Sequence, residues 1–167
     1  ACGSGYWTQL LSPVAEQITA TDGSEEMLDI AQAKNYLKPN VTFARWDAFE
    51  LSQMSGVFDA ALAGFWLSHV PRRRLHEFFD GLHSRLKPRS VVLLCDNNLV
   101  EGMGGEIIHQ PDSDDTYKRR TLNDGTRHVI VKNYFTETDL RELLEPYAAD
   151  ITVYMGHWYW YVLYHTR

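Results

Sequence analysis

The stretch ACGSGYWTQLL, residues 1–11, carries two glycines, Gly3 and Gly5, in a G-x-G turn. A helical run from Gly5 to Leu11 follows directly and is stopped near Pro13. A turn of this kind sits where a strand gives way to a helix. Glycine permits φ > 0 there and lets a ligand approach the backbone closely.

Outward from that turn the chain alternates. QITATD (17–22) reads as a short strand. GSEEMLDIAQAKNYL (23–37) reads as a helix with Ser24 as N-cap and acidic residues in its first turn, which suit the positive end of the helix dipole. Met27, Leu28, Ile30, Ala31 and Ala33 form its apolar face. VTFARWD (41–47) is the next strand. FDAALAGFW (58–66) is a near-continuous apolar run, the pattern of a strand buried on both faces. Pro71 to Leu86 is a helix with apolar residues at helical spacing, and SVVLLCD (90–96) is another buried strand. Strand-then-helix repetition predicts an α/β fold, a mostly parallel sheet with helices on both faces.

The pattern changes after Asp96. Residues 97–116 are rich in glycine, proline and acids and are expected to form a long loop. Asp124-Gly125 is a turn signal between two extended segments, so a β-hairpin follows. TETDLRELLEPY (136–147) is a helix with Thr136 as N-cap and Asp139 in the capping-box position. The chain closes with two strands around Gly156. No internal repeat is visible, and a single domain over 1–167 with an insertion at 97–135 is expected.

Composition narrows the class. With 167 residues, 44% hydrophobic and 23% charged, the chain can bury a real core. The formal net charge of -6 argues against a nucleic-acid surface. Cys2 and Cys95 form no C-x-x-C motif, which predicts reduced thiols in the cytoplasm. No apolar run is long enough to span a membrane, no signal-peptide pattern is present, and no metal site is expected.

In an open parallel sheet, ligands bind at the carboxyl ends of the strands. The residues there are Gly3 and Gly5, then Asp22, then Asp47, then Gly64, Phe65 and Trp66, then Asp96 and Asn97. A carboxylate at Asp22 can accept both hydroxyls of a ribose. A dinucleotide site would want a third glycine where Thr8 stands; the chain reads GYWT instead.

The ordered set ACGSGYWTQLL, TATDGSEEML, ARWDAFEL, FDAALAGFWLSHVP and LKPRSVVLLCDNN resembles the class I S-adenosylmethionine-dependent methyltransferases, in particular their small-molecule branch. The resemblance covers residues 1–96 in order. It implies a Rossmann-like, doubly wound sheet with an antiparallel C-terminal strand pair, the hairpin forming a lid after the fifth strand. It implies S-adenosylmethionine as cofactor and methyl transfer by in-line displacement. Carried over residue by residue, Ala1, Gly3 and Gly5 match the glycine-rich turn along the methionine part of the cofactor. Asp22 matches the ribose-binding acid, with Gly23 and Met27 flanking ribose and adenine. Asp47 matches the acid that meets the adenine amino group, with Ala48 and Phe49 beside it. Gly64 and Phe65 match the fourth strand end near the sulfonium. The resemblance also sets a central strand and one or more helices ahead of Ala1. The chain is thus expected to be N-terminally incomplete, with two strands left unpaired where the central one belongs.

On the acceptor side, His69 in WLSHVP lies just past the fourth strand end and is the candidate general base, needed only if the acceptor must lose a proton. Tyr117, Arg119, Arg120 and Lys132 of the hairpin are candidates for facing the acceptor and binding an anion, or else form its polar outer face. Arg72–Arg74 reads as a solvated helix face, Trp7 as a core residue, and Trp158 or Tyr159 as a pocket visitor. An exposed aromatic face on the last strand would serve a homodimer. The expected partner is a small-molecule acceptor, with no nucleic acid and no membrane; AGFW stands where nucleic-acid and protein enzymes carry N/D-P-P-Y/F. Two other functions stay open, a nucleotide-linked oxidoreductase and a member that binds the cofactor without transferring anything.

Overall fold

A computed structural model describes residues 1–102, 105–121 and 124–167. Helix α1 (Tyr6–Leu11) leads into β1 (Ile18–Asp22), α2 (Glu25–Gln32) and β2 (Val41–Arg45). Next come β3 (Phe58–Gly64), α3 (Leu75–His83) and β4 (Leu86–Asn97). Strands β5 (Glu106–His109), β6 (Thr116–Thr121) and β7 (Arg127–Val131) follow, then α4 (Glu137–Leu144), β8 (Ala148–Met155) and β9 (Tyr159–Thr166).

The expected alternation holds, and local signals account for it. Ser24 caps α2 by accepting from the Met27 N–H, and Thr136 and Asp139 form the reciprocal capping box of α4. The helix read over residues 23–37 ends at Gln32. Asn40 joins the end of α1 to the start of β2. Its side chain accepts from the Ser12 hydroxyl and donates to the carbonyls of Ser12 and Ala15, while its own carbonyl accepts from Ile18 N–H.

The strands form three sheets. β1 pairs β2 in parallel. A second sheet runs β3-β4-β9-β8, with β3–β4 parallel and both pairs involving β9 antiparallel. β1 and β3 each have a single partner strand, so one edge of each is unpaired among the described residues. The N-terminal turn and α1 bridge them at their carboxyl ends: Cys2 N–H donates to the Thr21 carbonyl at 2.7 Å, and the Trp7 indole of α1 lies against Gly64. The reading of 58–66 as a strand buried on both faces is corrected here. Asp59 and Ala60 are exposed and Ala61 to Gly64 half-buried, because an edge strand has a neighbour on one side only.

The core sits between the second sheet and helices α3 and α4. Trp160, Val162 and Tyr164 of β9 meet Val92 and Leu94 of β4, Phe79 of α3, and Leu140 and Leu144 of α4, all fully buried. Each such side chain contributes about 1.5–3 kcal/mol relative to an exposed one.

The third sheet, β5-β6-β7, is antiparallel throughout. The expectation of a loop over 97–116 is corrected by β5, which adds a third strand to the expected hairpin. Its pairing partner β6 supplied a ladder that the turn-rich composition of the segment hid. The two residues before Asp124 in the hairpin turn lie outside the described residues. No helix among the described residues is long and apolar enough to cross a membrane.

Candidate active site

The carboxyl ends of β1, β2, β3 and β4 gather the chemistry. Register explains why: Asp22 lies opposite Arg45 on β2, and Trp46 N–H donates to the Asp22 carbonyl at 3.0 Å, so Asp22 and Asp47 end adjacent parallel strands. Gly64 lies opposite Cys95 on β4, and Phe65 N–H donates to the Cys95 carbonyl at 2.7 Å.

Asp22 is tied to the glycine turn. Its Oδ2 accepts the Gly3 N–H at 2.7 Å and its Oδ1 accepts the Ser24 N–H at 3.0 Å. A carboxylate has about four lone-pair sites, so two remain for hydroxyls of a ligand. Both glycines have positive φ, 54° at Gly3 and 75° at Gly5. They differ in surroundings. A Cβ on Gly3 would meet nothing within 4 Å, which leaves its backbone open to a ligand. A Cβ on Gly5 would lie 2.7 Å from the Tyr36 hydroxyl and 2.9 Å from Ala31 Cβ, so Gly5 serves the packing of α1 on α2.

Asp47 Oδ1 accepts the Phe49 N–H at 2.9 Å, while the residue stays exposed. A cavity of ≈ 410 Å³ opens beside it, lined by Gly23, Arg45, Trp46, Asp47, Glu50 and Gln53. Met27, Ala48 and Phe49 are half-buried. At the β3 end, Phe65 adopts φ 56° although it is not glycine, and 43% of its surface is exposed. Strained, exposed residues of this kind concentrate at ligand sites. Against Gly64 the structure sets the Trp7 indole, whose Nε1 would lie 2.7 Å from an added Cβ.

His69 ends a 3₁₀ turn, Leu67–His69, just past β3. Its Nδ1 lies 2.9 Å from the Val131 carbonyl. A carbonyl only accepts, so Nδ1 carries the hydrogen and Nε2 keeps its lone pair in the neutral ring. Burial lowers the His69 pKa first, and the Lys132 ammonium lowers it further. The neutral, basic form is therefore favoured.

Beneath His69 lies a buried polar network. Lys132 Nζ donates to Ser68 Oγ at 2.8 Å, Asp96 Oδ1 at 3.0 Å and Asn97 Oδ1 at 3.1 Å. Asp96 Oδ2 accepts the Ser68 N–H at 2.9 Å. Asn133, fully buried, accepts from Thr116 N–H and donates to the Val70 carbonyl and to Asp115. These bonds sew the end of β7 to the turn that carries His69. Sequence reasoning missed the network; the one available signal was a lysine closing the apolar run RHVIVK.

The hairpin residues do not act as a group. Side chains alternate along a strand, so Tyr117 and Arg119 project from one face and Arg120 from the other. Arg119 is held by Glu106 at 2.6 Å and Tyr117 lies 3.2 Å from Ser113 Oγ. Lys132 is neither a lid residue facing solvent nor part of a polar outer face; it is buried in its ion pair. Of the Arg72–Arg74 triplet read as a solvated face, Arg73 is exposed, while Arg72 and Arg74 are half-buried in contacts. Arg72 donates through its backbone to Asp115 and through its side chain to the Tyr134 carbonyl, and Arg74 lies 3.4 Å over the Phe49 ring while gripping Glu77. Trp7 is half-buried rather than in the core, and Trp158 and Tyr159 are about half exposed.

Comparison with known proteins fits this geometry. A methyltransferase domain model matches residues 1–89. Over 74 residues the chain is 39% identical to a demethylmenaquinone methyltransferase of Staphylococcus aureus, an alignment spanning 42% of this chain and 30% of that protein. The chain thus spans about a third of the curated relatives it matches. Among solved structures, a DhpI–SAH complex superposes over 98% of this chain and 72% of its own, with TM-score 0.78 and 31% identity. A DhpI–SAM–HEP complex gives TM-score 0.79 at 29% identity, covering 98% of this chain and 74% of its own. The PH0226 protein of Pyrococcus horikoshii shares the fold, with TM-score 0.81 at 19% identity over all of this chain and 80% of its own.

Proposed function

The chain belongs to the methyltransferase domain family, and on that premise we propose that it transfers a methyl group from S-adenosylmethionine to a small-molecule acceptor. The observation that carries the reading is the Asp22 carboxylate, held by Gly3 and Ser24 N–H groups at a strand end with lone pairs to spare. The open backbone at Gly3, the cavity at Gly23 and Asp47, and exposed Phe65 suit the same cofactor. When bound, that cofactor supplies an activated methyl on a cationic sulfur.

The chain's own residues do the rest. Asp22 accepts the ribose hydroxyls, with Gly23 and Met27 beside it. Asp47 accepts from the adenine amino group, with Ala48 and Phe49 as the wall. Ala1 and Gly3 line the methionine end, and Phe65 shields the sulfur from water; aromatic faces favour cations. In-line transfer needs alignment more than covalent help. His69 Nε2 takes the proton when the acceptor must lose one. The domain reading is one methyltransferase unit with residues 97–135 as a lid. Two free thiols fit a reducing, cytoplasmic setting.

Calorimetric titration with S-adenosylhomocysteine tests the reading: saturable binding supports it, and its absence in the intact protein overturns it. Turnover after His69→Ala separates the roles of the histidine. A fall in kcat with unchanged KM marks it as the base, and unchanged turnover removes it. Cofactor binding with no turnover on any acceptor would favour the non-catalytic alternative.

A further inference from the structure

Three consecutive residues at the root of the β5-β6-β7 sheet grip three consecutive residues of the turn that carries His69. The Val131 carbonyl accepts from His69 Nδ1 at 2.9 Å. Lys132 Nζ donates to Ser68 Oγ at 2.8 Å. Asn133 donates twice, from its backbone N–H to the Ser68 carbonyl at 2.7 Å and from Nδ2 to the Val70 carbonyl at 3.0 Å. Ser68, Lys132 and Asn133 are buried, while Arg119 to Thr121 and Arg127 to Val129, farther out on the same sheet, are exposed. The sheet is thus anchored at its root, and the anchor is the His69 turn.

Both anchoring side chains are fully committed. The Lys132 ammonium has three donors, and Ser68, Asp96 and Asn97 take all three. Asn133 directs its Nδ2 hydrogens to the Val70 carbonyl and to Asp115 Oδ1, and its own Oδ1 accepts the Thr116 N–H. A buried network satisfied in this way favours one arrangement, because displacing any member leaves its partners bare. What this arrangement fixes is the Val131 carbonyl at His69 Nδ1. The hydrogen is thereby held on Nδ1, and the neutral ring has its lone pair on Nε2. An imidazole without such a partner can carry its hydrogen on either nitrogen.

We propose that Lys132 and Asn133 are positioning residues for His69: by docking the β5-β6-β7 sheet on its turn, they set the tautomer that makes Nε2 the basic nitrogen. This deepens the methyl-transfer reading and rests on it. The insertion after β4 then completes the base. With the sheet docked, Nε2 is free to take the acceptor's proton. With the sheet undocked, the Val131 carbonyl is withdrawn and the ring has no fixed tautomer.

The test follows the ring nitrogens of His69 by NMR in the intact protein saturated with S-adenosylhomocysteine, at a pH well above the ordinary histidine value of about 6.5. The expected result is a hydrogen on Nδ1. Asn133→Ala should shift the tautomer ratio toward Nε2–H by roughly 2- to 13-fold, the worth of one neutral hydrogen bond. Lys132→Met alone would strand Asp96, so it is combined with Asp96→Asn, and this double variant should shift the ratio the same way. His83 is the control: its ring meets Tyr164 in the core and should keep its signals. A hydrogen on His69 Nε2 in the unsubstituted protein overturns the inference, as does an unchanged ratio in either variant. A change at His83 as large as that at His69 overturns it too, because the two residues would then support the fold as a whole. Failure of the unsubstituted protein to bind S-adenosylhomocysteine overturns instead the reading beneath it.

Discussion

The Lys132 ammonium lies 3.0 Å from the Asp96 carboxylate, and both side chains are almost completely shut off from solvent. This pair joins the last residue of the β7 ladder to the end of β4, and through Ser68 it holds the turn that ends in His69. Breaking one side of such a pair leaves a bare buried charge, which costs about 3–5 kcal/mol. Lys132→Met should lower unfolding free energy by about that amount in urea melts. The double variant Lys132→Met with Asp96→Asn should recover a large part of it, since no charge is then stranded. Equal losses in the single and double variants would show that the pair is not a coupled unit.

Acid should weaken the protein through its histidines. His69 and His83 both have pKa values held below the ordinary 6.5, chiefly by burial. The sign follows from linkage. Below 6.5 the unfolded chain takes up protons that the folded chain refuses, so stability rises with pH across that window. The contribution is complete above about 6.5 and is lost as pH falls toward the folded values. Urea midpoints between pH 5 and 7.5 check this, and His83→Gln should flatten the slope. His83 Nε2 lies 2.9 Å from the buried Tyr164 hydroxyl, a hydrogen bond that glutamine's amide can also make, as donor or acceptor.

Asp22→Ala should weaken S-adenosylhomocysteine binding by roughly 10- to 150-fold, the value of about 1.5–3 kcal/mol for hydrogen bonds to a charged acceptor. Calorimetry reads it. Unchanged affinity would remove Asp22 from the ribose position. Gly3 and Ser24 lie near the surface, so their freed N–H groups find water and the fold should survive.

Phe65→Gly separates strain from function. The left-handed conformation at φ 56° costs a phenylalanine about 1–2 kcal/mol and glycine almost nothing. The variant should therefore melt at an equal or higher temperature while binding cofactor more weakly. A drop in both would mean that the ring supports the fold rather than the ligand.

Much of this molecule is legible locally. Capping residues Ser24 and Thr136, the alternation of strands and helices, and the strand-end acids Asp22 and Asp47 all follow from periodicity and turn chemistry within a few residues. The exception within that range is β5: hydrogen-bond partners, not composition, make Glu106–His109 a strand.

What the amino-acid order by itself determined is therefore the α/β architecture, the glycine turn and the set of polar residues that end the strands. Tertiary structure alone decided how they are used. Ser68 and Lys132 are 64 residues apart, and Ser68 and Asp96 are 28 apart. No local period encodes such meetings, because they depend on how one sheet docks on another. The same docking sent Lys132 inward to an ion pair, tied Arg72 to Asp115 and stacked Arg74 on Phe49. Alternation tells which side chains of a strand share a face. Only packing tells which face turns to the site.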